Sequence, residues 1–246
     1  MDHGTLARSF LTSGVDYDRY RPSFPPEAVD LVLPETVAAV LDLGAGTGKL
    51  TESLVARTNE LTAVDPSAQM LDVLRAKLPT VHARVGSAEQ IPVASASQDV
   101  VTVAQAFHWF DTAPACAEIA RVLRPGGLLA LLWNGPAAEC EWDQDCHRIA
   151  HPEVAGDGGA EPAGPASLSG FEVLHGSHVP WQEQLTREHY LHRWLTVSTF
   201  LAAEPDQRAG LLAQVRAVLA AHRDTAGREV LVLPQATTVH LYRSVA

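Results

Sequence analysis

Two aspartates, Asp42 and Asp65, each close a short apolar run, and the turn Gly44-Ala45-Gly46-Thr47-Gly48 follows the first of them. A carboxylate at a strand tip can accept charge-assisted hydrogen bonds from a ligand's hydroxyls or pair with its ammonium. Glycines at alternate positions tolerate positive φ and carry no Cβ to hold a ligand away from the main chain. A third candidate lies in Gln105-Ala106-Phe107-His108-Trp109-Phe110-Asp111. His108 titrates near neutrality, so it could act as a general base or orient an acidic group. It could equally pack the start of the next helix. Cys140, Cys146, His147 and His151 invite a zinc reading. Their C-x5-C-H-x3-H spacing matches no common finger and no second cysteine pair exists, so no metal is expected.

These groups need elements to hold them. Val37 to Leu43 reads as a first strand, Lys49 to Arg57 as a helix and Glu60 to Asp65 as a second strand. Val81 to Val85, Gln98 to Ala104 and Leu128 to Trp133 supply three more. The fourth is apolar or β-branched almost throughout, as in a strand covered on both faces. An acid at the tip of the second strand is placed to take both hydroxyls of an adenosine ribose. Its alternative duty is to cap the following helix through Asp65-Pro66-Ser67, although Ser67 could cap that helix instead. The dinucleotide fingerprint, G-x-G-x-x-G, places its third glycine one residue later than Gly48. A carboxylate beside the turn would repel a diphosphate. A nicotinamide cofactor is therefore disfavoured.

The run from Val40 to Thr51 resembles the first motif of class I S-adenosylmethionine-dependent methyltransferases. Tyr17-Asp18-Arg19-Tyr20-Arg21-Pro22 and His108-Trp109 resemble the trans-aconitate methyltransferase-like subgroup. Gly86-Ser87-Ala88-Glu89-Gln90-Ile91-Pro92 is similar to the family's next motif, with Ser87 where Asp is usual. A hydroxyl is a weaker acceptor for an adenine amine than a carboxylate. The resemblance implies a cofactor site made of Tyr20, Arg21, Asp42, Gly44, Ala45, Gly46, Thr51, Asp65, Pro66, Met70, Ser87, Ala88, Glu89, Gln105 and Ala106. In that scheme Asp42 approaches the cofactor's amino group, and Asp65 its ribose. Tyr20 and Arg21 face the methionine end, Ser87 to Glu89 meet the adenine edge, and Gln105 and Ala106 lie beside the transferring methyl. His108 is the expected catalytic residue. Met70 could touch adenine or simply fill the core.

The chain has 246 residues, 46% of them hydrophobic, which suits a large α/β domain and excludes a disordered chain. Its formal net charge is -11, and no block of Lys and Arg exceeds two residues. A phosphate-backbone partner is therefore not expected. Three cysteines cannot complete a disulfide framework, and no apolar run reaches membrane-spanning length. With no basic-then-apolar leader either, a cytoplasmic setting without membrane partners is expected.

The rest of the chain is less explicit. Thr5 to Ser13 reads as a short helix, Val15 to Pro26 as a loop or lid, and Cys140 to Ala150 as a helix. Glu153 to Gly170, rich in Gly, Ala and Pro, reads as a long loop. Phe171 to Gln184 reads as a strand, Thr186 to Phe200 and Gln207 to Arg223 as helices, and Glu229 to Leu233 and Ala236 to Arg243 as β-rich segments. The expected whole is one Rossmann-like α/β domain with a seven-stranded, mostly parallel sheet whose last strand is antiparallel. An N-terminal lid (1–25), a cofactor core (26–135) and substrate-side cap elements (136–246) divide it. The implied activity is methyl transfer from S-adenosylmethionine to O, N or C of a small molecule. A lyase, cyclase or isomerase on the same fold, or a non-catalytic binding module, are the alternatives.

Overall fold

The computed structural model describes residues 14–151 and 164–245. The helix expected over Thr5 to Ser13, and most of the Gly/Ala/Pro-rich stretch after Glu153, lie outside the described residues. The elements run α1 (Gly14–Tyr20), α2 (Pro26–Val32), β1 (Val37–Leu43), α3 (Thr51–Leu54), β2 (Thr58–Asp65), α4 (Ala68–Lys77), β3 (His82–Val85) and β4 (Gln98–Ala104). They continue α5 (Thr112–Val122), β5 (Leu123–Pro136), α6 (Glu141–Ala150), β6 (Phe171–Thr186), α7 (Arg187–Trp194), α8 (Ser198–Ala202), α9 (Pro205–Ala221) and β7 (Val230–Ser244).

The seven strands form one sheet in the order β3-β2-β1-β4-β5-β7-β6. The first five pair in parallel, with β1 central between β2 and β4. β7 is antiparallel, inserted between β5 and β6. Ala137 N donates to Pro234 O, while Thr237 Oγ1 donates to Asn134 Oδ1, so numbers fall along β7 as they rise along β5.

Alternation along the parallel strands explains the core. Val40, Val100, Ala130 and Leu132 enter one buried cluster, with Leu54, Leu71 and Leu74 from the helices. Their neighbours Leu41, Val101, Leu129 and Leu131 enter another, against Cys116 and Ile119 of α5. Period two sends successive side chains to opposite faces, and both faces are covered. Each such Val or Leu contributes about 1.5–3 kcal/mol by leaving water.

The chain divides into two compact units. One comprises Met1–Arg21, Gly135–Glu161 and Pro180–Ala236. The other comprises Pro22–Asn134, Pro162–Val179 and Thr237–Ala246, and holds the parallel strands. The first unit has its own core, with Trp142 and Cys146 of α6, Tyr190 and Trp194 of α7, Phe200 of α8, and Val215 and Leu219 of α9.

Several expectations need correction. The segment after Val15 is helical up to Tyr20, with Asp16 in the first turn and Arg19 in the last, both favourable to the helix dipole. Pro22 follows at once, and residues preceding proline leave the helical region. The helix expected over Lys49 to Arg57 is a single α turn, Thr51–Leu54, followed by a 3₁₀ turn, Val55–Arg57. β5 starts at Leu123 rather than Leu128, because a bulge opposite Gln98 and Val100 absorbs Arg124 to Gly127. Thr186 to Phe200 is two helices, not one: Thr186 caps α7, and the Thr196 hydroxyl turns back to Arg193 O at 2.7 Å after it ends. The two β-rich segments near the C-terminus form one strand through Pro234.

Candidate functional site

Asp42 is the last polar group inside β1, and it is 1% exposed. A buried carboxylate must find donors. Thr51 Oγ1, at the start of α3, donates to its Oδ2 at 2.5 Å, and Thr102 Oγ1, inside β4, donates to Oδ1 at 3.0 Å. Burial pushes its pKa up to about 6 against the pull of the two hydroxyls. Asp42 thus ties the start of α3 and the neighbouring strand to the end of β1. Thr51, expected in the cofactor site, is fully buried beneath it as one of these two donors.

The glycine turn follows. Gly44, Gly46 and Gly48 have φ of 72°, 54° and 87°, in the left-handed region that favours glycine. Gly44 needs more than φ. A Cβ there would stand 2.6 Å from Ala106 Cβ, so the turn after β4 closes directly over the loop. The amides of Gly44 and Ala45 donate to Val64 O at 2.8 and 3.1 Å, and that of Gly46 to Asp65 Oδ2 at 2.9 Å. These loop N–H groups turn inward to β2, so Asp65 organises the loop as well as the strand tip.

The other Asp65 oxygen, Oδ1, accepts from Ser67 N at 2.8 Å. Burial raises the Asp65 pKa, and the backbone N–H groups of Ser67 and Gly46 oppose that rise. The N-cap of α4 is Ser67, whose Oγ accepts from Met70 N at 3.2 Å. Asp65 is therefore not needed as the helix cap. Pro66 is the exposed link between the two. Met70 is buried, and its Sδ lies 3.6 Å from where a Cβ on Gly46 would stand, so it floors the loop.

Beyond β3, Ser87 and Gln90 form a bridge, and Ala88 is buried. Glu89 Oε1 accepts from Asp111 N at 3.0 Å, so this side chain steadies the entry to α5. After β4, Gln105 has φ of 54°, a conformation uncommon for a residue with a Cβ. It is clamped twice to β5: its N donates to Leu132 O at 2.9 Å and its Nε2 to Asn134 O at 2.8 Å. Strain of this kind persists where surrounding bonds over-determine it, and such places cluster at functional sites. His108 sits in the 3₁₀ turn Phe107–Trp109, exposed, with its ring 4.7 Å from that of Trp109.

The second unit thus gathers Asp42, the glycine loop, Asp65, Met70, Gln105 and Ala106 around the carboxyl ends of β1, β2 and β4, where open α/β sheets bind ligands. Gln105 and Thr51 were both expected in the cofactor site, but the left-handed backbone of Gln105 and the bonds from Thr51 and Thr102 to Asp42 were not read from sequence. The one available signal was an acid inside an apolar strand, which obliges donors nearby. Tyr20 and Arg21 belong to the first unit. Tyr20 stacks on His192 at 4.9 Å, and Arg21 donates to Thr196 through Nε and Nη2. The supposed zinc residues are there too. Cys140 and Cys146 are buried in its core, where burial drives both thiols up to about 12. The His147 and His151 rings lie 6.4 Å apart. Among the described residues, no group of three or more His, Cys, Asp or Glu is placed to hold a metal ion.

A methyltransferase domain matches residues 41–131, the stretch from β1 to β5. An uncharacterized methyltransferase of Mycobacterium tuberculosis is 41% identical over 232 residues, covering 94% of this chain and 94% of its own length. A ubiquinone/menaquinone biosynthesis C-methyltransferase of Rubrivivax gelatinosus is 38% identical over 112 residues, 44% of this chain and 45% of that protein. Among solved structures, a type II methyltransferase, so described, from Anaeromyxobacter dehalogenans superposes with a TM-score of 0.69 at 26% identity. It covers 92% of this chain and 97% of its own.

Proposed function

Because the chain belongs to the class I S-adenosylmethionine-dependent methyltransferases, we propose that it methylates O, N or C of a small-molecule acceptor. Its cofactor is S-adenosylmethionine. The observation that carries the reading is the joint fixation of Asp65 and the glycine loop by the Gly46 N–H. Each Asp65 oxygen spends one lone pair on a backbone N–H and retains another, so both ribose hydroxyls can still be accepted. The left-handed glycines and the buried Met70 beneath them leave a Cβ-free surface for the rest of the ligand. The residues present fit the group.

When bound, the sulfonium supplies an already activated methyl. The protein's work is then alignment, which can supply about 7–11 kcal/mol when the geometry is right. In our reading Asp65 holds the ribose, Met70, Pro66 and Ser87 to Glu89 border the adenine, and Asp42 fixes the loop near the amino group. Gln105 and Ala106 border the transfer point. His108 receives the acceptor's proton on an imidazole nitrogen when the acceptor is a phenol, amine or carbon acid. The cofactor contacts proposed here draw on the second unit alone. Tyr20 and Arg21, expected at the methionine end, remain an expectation from the family resemblance. The Tyr-Arg-Pro and His108-Trp109 elements support placement near the trans-aconitate methyltransferase-like enzymes.

The relative from Rubrivivax is named for a small-molecule pathway, and its likeness is confined to under half of either chain. That supports a shared cofactor core with acceptor recognition in the remainder. The test is turnover on a panel of phenols, amines, activated carbon acids and carboxylic acids. S-adenosylhomocysteine released in step with methylated product supports transfer. Product formed with the cofactor unconsumed would replace it with a lyase or isomerase reading.

A further inference from the structure

The turn after β4 carries a hydrogen-bond acceptor that the roles given above leave idle. Among the described residues other than glycine, positive φ occurs at Ala96, ahead of β4, and at Gln105, just beyond its carboxyl end. Only the second stands at the end where open α/β sheets bind ligands. A residue with a Cβ keeps such a conformation only where its surroundings impose it. Gln105 Nε2 donates to Asn134 O at 2.8 Å, and a carbonyl oxygen can face only the NH2 end of an amide. The side chain is therefore not free to flip, and Oε1 is the end left over. No donor among the described residues reaches Oε1, and it is not one of the buried polar atoms that lack a partner, so it meets accessible space. The next residue, Ala106, stands against the glycine loop, 2.6 Å from where a Cβ on Gly44 would be.

The anchor of this side chain is itself anchored. Asn134 is half-buried near the end of β5. Its Nδ2 donates to Ser23 O, ahead of α2, at 3.1 Å, and its Oδ1 accepts from Thr237 Oγ1, in β7, at 2.6 Å. The Ser23 carbonyl requires the NH2 end, so this amide also has one orientation, and the Thr237 hydroxyl conforms by donating. Asn134 thus holds three separate segments with its donor, its acceptor and its main-chain carbonyl. All four residues belong to the second unit. Aspartate in its place would set an oxygen against the Ser23 carbonyl. Alanine would leave the fully buried Thr237 without this partner.

We propose that Asn134 is a positioning residue for methyl transfer, holding the Gln105 amide so that its Oε1 accepts a hydrogen bond from an N–H or O–H group of the methyl acceptor. A phenol, a neutral amine or an amide can supply that donor. An ionised carboxylate, an ether or a neutral tertiary amine cannot. An amide oxygen is too weak a base to take the proton, so it orients the acceptor and leaves proton removal to His108. The assignment to the acceptor rests on the methyl-transfer reading, whereas the hold of Asn134 on Gln105 does not.

The test titrates the full chain, saturated with S-adenosylhomocysteine, with phenol and aniline and with their methylated counterparts, anisole and N,N-dimethylaniline. The wild type should bind at least one donor probe about tenfold more tightly than its counterpart, as a single hydrogen bond to an otherwise unmet acceptor allows. Gln105→Met, which keeps the length and loses the oxygen, should bring that ratio to about one. Asn134→Ala and Asn134→Asp should each lower it about threefold or more. Thr237→Val, close in shape, should lower it about twofold, and Thr237→Ser, which keeps the hydroxyl, should recover most of that loss. A purely structural Asn134 would shift the melting temperature and leave the ratio alone. A ratio of wild-type size in folded Asn134→Ala, or in Thr237→Val should the first not fold, overturns the positioning role.

Affinity for S-adenosylhomocysteine is measured for each chain before any probe is added. Gln105→Met should change it by less than about twofold. A loss of about tenfold or more would give Oε1 to the cofactor and overturn the acceptor assignment. Equal binding of donor and methylated probes by the wild type overturns it as well. A wild type that does not bind S-adenosylhomocysteine removes the methyl-transfer reading and the acceptor assignment with it, a failure distinct from the others because it precedes the probes.

Discussion

The two units solve the problem of buried polar groups differently. In the second, the two carboxylates near the carboxyl ends of β1 and β2 are satisfied by neutral donors: Asp42 by two threonines, Asp65 by two backbone amides. In the first, Arg193 and Glu183 pair as ions, while Asp143 leans on a tyrosine 47 residues away in sequence. A neutral donor set keeps a carboxylate in place yet leaves lone pairs for a ligand. An ion pair consumes the charge it holds. Asp65 is thus held in place with lone pairs to spare, whereas the charge of Glu183 is taken up by Arg193.

That contrast can be broken at several points. The largest effect belongs to Asp65→Ala. With two charge-assisted bonds worth about 1.5–3 kcal/mol each, calorimetry should find affinity for S-adenosylhomocysteine reduced at least about a hundredfold. Unaltered affinity would remove the ribose assignment. His108→Ala should spare cofactor binding and slow turnover about a hundredfold with an acceptor that must lose a proton, and hardly at all with a carboxylic acid. A uniform loss across acceptors would make His108 a packing residue.

Gly44→Ala tests the loop itself. Left-handed φ and a Cβ placed 2.6 Å from Ala106 together should cost about 2–4 kcal/mol in denaturant unfolding. Gly46→Ala, with only Met70 Sδ at 3.6 Å and φ to contend with, should cost about 1–2 kcal/mol. Equal costs would mean that contact with the turn after β4 contributes nothing.

The pH dependence follows from Asp42. Its pKa rises on folding from 3.8 to about 6, so the folded chain binds that proton more tightly than the unfolded one. Its contribution is most favourable below about pH 4 and is lost as pH climbs through about 6, a change of about 3 kcal/mol. Asp42→Asn should flatten that part of the stability curve. Asp143, also raised to about 6 by burial, should leave a slope of the same sign in the first unit. A slope of opposite sign would contradict the burial of both.

Legibility in the sequence followed the same division. Gln98 to Ala104 was readable as a strand to the residue, because burial on both faces makes nearly every position apolar. The Ser67 cap was readable, since its partner lies three residues on. The end of α7 was not, because Thr196 and Arg21 decide it from 175 residues apart. Nor was the left-handed Gln105, which two bonds to β5 impose on a residue with no local preference for it. Asp42 was read as a ligand for an ammonium. The geometry adds a tie to α3 and β4 that depended on where Thr51 and Thr102 would fall. Spacing discloses local elements and their tips, but not the partners that tertiary contact supplies.

The most direct measurement is a calorimetric titration of the wild-type chain with S-adenosylhomocysteine and, in parallel, with NADH. Micromolar binding of the first with no heat from the second is the predicted result. Binding of NADH, with S-adenosylhomocysteine silent, would contradict the assignment of Asp65 and its glycine loop to this cofactor.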